Sequence, residues 1–259
     1  MKMPFFITDL ASAVTFLTRV RLPGLVMADI PAGARAAWAY PLAGAIATIA
    51  PAIALAGFVW IGASPLIAAL IAMLVSIMIC GGLHEDGLAD AADGLFGGRD
   101  REKALSIMKD SHSGVFGVTA IVLSLLLRAA ALAALVTQYG PLPAALLFVA
   151  AATAGRGCLV LQWYILPAAR REGAAAAMGR PGIRTTAAAE AIALVSCVAL
   201  GIAAHTLSPV LAGLAFAAVA SLLFAAFVNR RIAGHTGDTL GAAAQIGEIV
   251  FLLTLVIAA

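Results

Sequence analysis

The chain is poor in charge. Only 11% of its 259 residues are Asp, Glu, Lys or Arg, while 63% are hydrophobic, against roughly 25% and 45–50% in a soluble domain. So little charge cannot solvate a globule, which excludes a water-soluble protein. A net charge of +3 is too small to indicate a nucleic-acid partner. Cys80, Cys158 and Cys197 stand in or at the edge of apolar stretches, with no CxxC or Cys/His spacing. That excludes a disulfide framework and a thiolate metal site, and the thiols read as small buried residues. No small-residue cleavage site follows the N-terminal stretch MKMPFFITDLASAVTFLTRVRLP, whose apolar run is broken by Asp9 and Thr15. Residues 1–35 therefore read as a retained amphipathic or re-entrant segment and not as a signal peptide. No internal repeat is evident, and no polar stretch is long enough for a large extramembrane domain.

What remains is apolar blocks of the roughly 20 residues that span a bilayer. Seven can be drawn, at about 36–61, 63–82, 114–136, 142–166, 187–207, 209–228 and 239–259, with boundaries good to a few residues. Ala, Gly and Leu dominate them, and small residues let helix backbones approach closely inside lipid. The same small-residue faces permit a homo-oligomer or serve packing within one chain. The connections after the first, third and fifth spans carry no Lys or Arg. The other segments hold Lys2, Arg19, Arg21 and Arg35; Arg99, Arg101, Lys103 and Lys109; Arg170, Arg171, Arg180 and Arg184; and Arg230 and Arg231. This alternation predicts one orientation, with the N-terminus cytoplasmic. The fold class expected is all-α: a single integral membrane domain over residues 1–259, a polytopic transmembrane bundle of about seven helices in contact with lipid. Two arginines fall inside spans. Arg128 is expected to snorkel to the far surface, and Arg156 to pair with Glu248 at similar depth or to contact substrate.

One polar passage, residues 83–113, is dense in acid. It holds seven of the chain's thirteen acidic residues: Glu85, Asp86, Asp90, Asp93, Asp100, Glu102 and Asp110. On a helix advancing ~100° per residue, Asp86, Asp90 and Asp93 fall at about 0°, 40° and −20° and share one narrow stripe. Carboxylates this close repel one another, more so where the dielectric falls, and a cation offsets the repulsion. Oxygen donors without Cys, with His84 the sole nearby imidazole, favour Mg²⁺, or Mn²⁺ as substitute, over Zn²⁺. Glu85 lies about 100° off the stripe and is a weaker ligand. Gly87 and Gly94 would let a phosphate approach the backbone, and Arg99, Arg101, Lys103 and Lys109 follow as phosphate clamps. The passage reads as a cytoplasmic metal–pyrophosphate site, with His84 and His112 as candidate bases or phosphate-orienting groups. A second polar stretch, RRIAGHTGDTLGAAAQIGE, places Thr236 and Asp238 at the mouth of the last helix. There Asp238 serves as a further ligand, as a helix N-cap, or as both.

At these residues the sequence resembles the cobalamin synthase family, the adenosylcobinamide-GDP ribazoletransferases of the bacterial and archaeal cytoplasmic membrane. The likeness begins at TFLTRVRLP and YPLAGA, is most specific over GGLHEDGLADAADGLFGGRDREKALSIMKDS, and resumes at HTGDTLGAAAQIGE. It implies a multi-pass inner-membrane enzyme with its active site on the cytoplasmic side. There α-ribazole, or its 5′-phosphate, attacks the pyrophosphate of adenosylcobinamide-GDP and displaces GMP, with magnesium as cofactor. On that reading Asp86, Asp90, Asp93 and His84 are catalytic, and Glu85, Asp86, Asp90 and Asp93 hold metal. Substrate contacts fall to Arg19, Arg99, Lys109, Asp110, His112, Arg156, Thr236 and Asp238. This chain departs from the family's pattern at His112, where relatives carry Arg, and at Ala233, where they carry Gly.

Two other classes share parts of this pattern. A CDP-alcohol phosphotransferase also binds metal through aspartates on membrane helices, but its DGxxAR spacing is absent, since Gly87-Leu88-Ala89 leads to Asp90. An ion-coupled transporter would spread carboxylates through several spans, where only Glu248 and Glu190 qualify.

Overall fold

The computed structural model describes residues 4–22, 33–170, 172 and 174–258. Lys2, Arg171 and residues 23–32 of the expected N-terminal segment lie outside the described residues. Helix α1 (Phe5–Leu17) is followed by a 3-10 turn (Gly33–Ala39) that runs into α2 (Tyr40–Trp60). Then come α3 (Pro65–Cys80), α4 (Leu83–Gly97), α5 (Arg101–Ile107), α6 (Val115–Tyr139), α7 (Pro141–Ile165), the short α8 (Ala174–Ala177), α9 (Ile183–Ala203), α10 (Leu207–Ile232) and α11 (Gly237–Ile257). Among the described residues the only β pairing is an isolated bridge between Ala168 and His235.

Six helices are long and apolar enough to cross a membrane, with α2 extended by its 3-10 turn. Helix α3, which passes the same test only together with α4 across an 88° bend, is the seventh candidate. Its 16 residues reach ~24 Å at 1.5 Å per residue, and Ser64 caps its start beside Pro65 at the first helical position, where the missing N–H costs nothing. Six of the seven expected spans are thus present as candidate spans and the other as the first half of a bent pair, with two shifts of boundary. Helix α9 starts at Ile183, before the polar Arg184, Thr185 and Thr186, and α10 runs a turn further than drawn, so that Arg230 and Arg231 fall in its last turn, where cations suit the helix dipole. Side chains such as Leu126, Val195, Phe216 and Leu223 stand exposed on the outer faces of α6, α9 and α10, a surface that only lipid would cover stably.

Helix α7 is buried around most of its circumference and packs against α2, α6, α9, α10 and α11. Glycine makes this possible. A Cβ at Gly155 would stand 2.6 Å from the Ala244 carbonyl oxygen, and one at Gly247 would stand 2.6 Å from Cys158 Sγ. All three cysteines are buried and free. Helix α1, 13 residues long and so ~20 Å, is too short to cross a bilayer. Its buried Asp9 accepts from Arg35 Nη2 (2.7 Å) and Trp38 Nε1 (3.2 Å), which docks α1 on the 3-10 turn and explains the polar break in its apolar run.

The expectation for Arg128 is overturned. Arg128 does not snorkel; it is 2% exposed and binds Glu248 Oε1 through Nε (3.0 Å) and Nη2 (2.7 Å), with Nη1 on Glu85 Oε1 (3.0 Å) and on Gln245 Oε1 (3.1 Å). Glu248 also takes Arg156 Nη1 at 3.0 Å, the pair expected from their depth. Two arginines and two glutamates thus close a charge-balanced network joining α4, α6, α7 and α11. Acceptors from α4 and α11 remove the need for Arg128 to reach water, which snorkelling supplies to an isolated arginine.

Candidate active site

Consecutive glycines start the site. Gly81 and Gly82 end α3 with φ of 66° and 72°, a left-handed pair that residues with a Cβ resist. They turn the chain by 88°, so α4 leaves the span and lies along one end of the bundle. The connections from α7 to α9 and from α10 to α11 gather at the same end. Arg101 Nε donates to Ile232 O (3.0 Å), Arg170 Nη2 to Leu105 O (2.6 Å) and Arg180 Nε to Tyr164 O (2.7 Å), while Arg231 binds Leu95 O and Gly98 O. These arginines cap carbonyls at helix C-termini. Arg101, expected as a phosphate clamp, is committed to this scaffold.

The acidic stripe exists as a helix face, but burial divides it. Asp93, 7% exposed, accepts from Gly114 N (2.6 Å) and Gly117 N (2.9 Å). Glycine at both positions leaves room for the carboxylate, which caps the start of α6 in place of a side chain from Gly114. Asp93 is therefore engaged as a cap. Glu85 faces the other way, into the network with Arg128 and Gln245, and leaves the expected metal set for that reason. Asp86 is exposed and Asp90 half-buried.

Helix α11 brings the third free carboxylate. A Cβ at Gly87 would lie 3.1 Å from the Asp238 carbonyl oxygen and 3.4 Å from Gly241 Cα, so α4 and α11 cross almost backbone to backbone. Contrary to the expectation of an opening for a phosphate, Gly87 abuts α11, and Gly94 abuts Met108 and Ala104 of the α5 region. The N-cap of α11 is Thr236, in a reciprocal pair with Thr239, not Asp238. The Asp238 carboxylate is thereby released from capping and accepts the Thr236 hydroxyl at 3.1 Å. Burial, with the charges of Asp86, Asp238 and Asp93, pushes the Asp90 carboxyl up to about 6. Among the described residues no three acidic, histidine or cysteine side chains converge closely enough to form a metal cage by themselves.

Beside Asp86 and Asp238 a cavity of about 280 Å³ opens between α1, α2, α4, α7 and α11. His84 is 2% exposed on its wall, and burial, aided by Arg156 and Arg128, holds its imidazole neutral, well below the usual histidine range. On the other side of Asp86 lies a shallow cleft at Cys80–Leu83, and the Arg19 side chain packs over Gly81 there. The remaining expected contacts are not brought to the cavity. Arg99 is 90% exposed and pairs with Asp100; Lys109 is exposed; Asp110 and His112 pair with each other on the surface at 2.7 Å. Arg156 is 5% exposed and bonded to Glu248. Sequence reasoning missed the cavity's aromatic wall, Tyr40 and Trp163, because nothing in the local pattern separates these rings from ordinary core.

Fold and site together define a polytopic membrane protein whose free carboxylates gather over a cavity at one end of a helical bundle. Residues 9–256 match the family described as Cobalamin-5-phosphate synthase. The chain is similar to the adenosylcobinamide-GDP ribazoletransferase of Rhizobium johnstonii, at 42% identity over 98% of each chain, and to that of Rhizobium etli, at 43% over 98% of each. The Bradyrhizobium diazoefficiens protein of the same name is 42% identical over 95% of this chain and 92% of its own. No solved structure matches. The chain belongs to the cobalamin-5-phosphate synthase family.

Proposed function

We propose that this chain joins adenosylcobinamide-GDP to α-ribazole, or to its 5′-phosphate, and releases GMP, as the names of its relatives describe. The observation that carries the site assignment is the crossing of α4 and α11 at Gly87 and Gly241, which sets Asp86 and Asp90 beside Asp238. In the reaction a ribose hydroxyl oxygen forms a bond to the phosphorus that bears the cobinamide group. The bond from that phosphorus to the oxygen of GMP breaks, and the hydroxyl proton passes to a carboxylate. Asp90 is suited to take it, because it is a half-buried carboxylate one turn of α4 from Asp86 and close to Asp238.

Asp86 and Asp238 would hold Mg²⁺, with Mn²⁺ as substitute. Two carboxylates without a closed cage suit an ion that keeps waters and takes phosphate oxygens as its other ligands. Such an ion neutralises charge on the diphosphate and on the departing GMP. Arg19, beside the cleft at Gly81, is the cation best placed to steady a phosphate. The same end of the bundle carries Arg35, Arg99, Lys103, Lys109, Arg184 and Arg230, which supports a cytoplasmic site in the inner membrane by the positive-inside rule.

The test is transfer by detergent-purified protein given magnesium, adenosylcobinamide-GDP and α-ribazole, read as GMP release. Asp90→Asn should cut the rate by about a hundredfold or more with the helical content unchanged. Full activity in that variant refutes the assignment of Asp90.

A further inference from the structure

The cavity beside the carboxylates has walls of a particular kind. Phe16, Tyr40 and Trp163 form a row of rings, with centroids 6.1 Å and then 5.7 Å apart. The Trp163 indole N–H is tied to Gly179 O at 2.8 Å, which fixes the ring's direction. Met178, Leu159 and Leu240 complete the apolar lining. The polar side chains at the wall are few. Asp86 and Asp238 lie at the edge assigned to the diphosphate, and His84 Nε2 is buried with no hydrogen-bond partner among the described residues.

We infer that this cavity is the subsite for the acceptor's planar heterocycle, the benzimidazole ring of ribazole, held against Phe16, the exposed end of the ring row, with Tyr40 and Trp163 buried behind it. The inference rests on the reading given under Proposed function. Three bulky parts enter that reaction: a corrin, a guanine and a benzimidazole. At about 280 Å³ the cavity sits at the lower edge of the roughly 300–1,000 Å³ common for small-ligand sites, too small for a corrin with its amide arms. Guanine presents two kinds of N–H donor and a carbonyl on its edge, and burying them against leucine, methionine and aromatic rings would leave them unpaired at about 1–3 kcal/mol each. A benzimidazole nucleoside has one free ring nitrogen and an otherwise apolar edge. It stacks favourably on aromatic faces, and its single acceptor or a ribose hydroxyl meets the unpartnered His84. The ribose, attached at the ring's polar side, then points to Asp86, Asp90 and Asp238.

Two measurements test this. In a Trp38→Phe/Trp60→Phe background, Trp163 is the one tryptophan left, and free α-ribazole should quench its fluorescence saturably while guanosine does not. Leu83→Trp, at a cavity wall residue already 40% exposed, should narrow the space without opening the core. It should raise the KM for α-ribazole about tenfold or more and leave that for adenosylcobinamide-GDP within about twofold. Absence of quenching by α-ribazole, equal quenching by guanosine, or an unchanged KM for α-ribazole overturns the subsite. The quenching needs no turnover, so failure of the unmodified chain to release GMP would count against the proposed reaction and leave the ring-binding result to stand or fall alone.

Discussion

Removing Arg128 offers the sharpest test of how the acidic helix is held. Its guanidinium makes four hydrogen bonds, two of them to Glu248 Oε1 and one each to Glu85 and Gln245, at 2.7–3.1 Å. At ~3 Å and an effective dielectric of 20, each ion pair carries about 5 kcal/mol of Coulomb attraction, much of it spent against desolvation. Arg128→Met keeps the volume and leaves a net negative charge inside the bundle. Glu248 retains Arg156, but Glu85 retains only the Gln245 amide at 2.9 Å. Breaking one side of a buried pair costs about 3–5 kcal/mol, the loss expected here. Arg128→Met/Glu85→Gln removes one charge of each sign, so it should lose about 2 kcal/mol less than the single change. Unfolding by SDS in mixed micelles, followed by tryptophan emission, measures both. Because Glu85 adjoins Asp86 on α4, transfer should fall in the single variant and return in part in the double. A single-variant loss under about 1 kcal/mol, or a double variant as weak as the sum of its parts, would refute the view that a balanced network holds α4.

Three further outcomes follow from the geometry. Gly87→Val should wedge α4 from α11 at a contact of 3.1 Å and lower transfer by about a hundredfold, the scale of an ångström's misplacement, with circular dichroism unchanged. Burial lowers the His235 imidazole to about 4; the folded state therefore binds fewer protons than the unfolded below pH 6.5, and stability is present above 6.5 and lost as pH falls toward 4. That loss is about 3 kcal/mol in denaturation at the two pH values, and His235→Asn should flatten it. Ala233 closes α10 in the left-handed region at φ 56°, so Ala233→Gly should stabilise by ~0.5–1 kcal/mol in the same unfolding assay.

Composition and periodicity alone determined that the chain is a multi-pass membrane bundle and that α4 carries its acids on one face. These properties repeat within a turn or a span, so neighbouring residues are enough to read them. Depth alone even paired Arg156 with Glu248. Spacing did not reveal which acids are free. Glu85 and Asp86 are adjacent in the chain, yet one meets Arg128, 43 residues away, and the other faces the cavity. Asp93 belongs to the stripe by angle and to Gly114 and Gly117 by contact. Asp238 joins the site because α4 and α11 can touch at two glycines, and Arg128 stays buried because partners from two other helices, α4 and α11, reach it. A carboxylate's chemistry depends on what surrounds it in space, and only the packed bundle, with its long-range crossings, decides that.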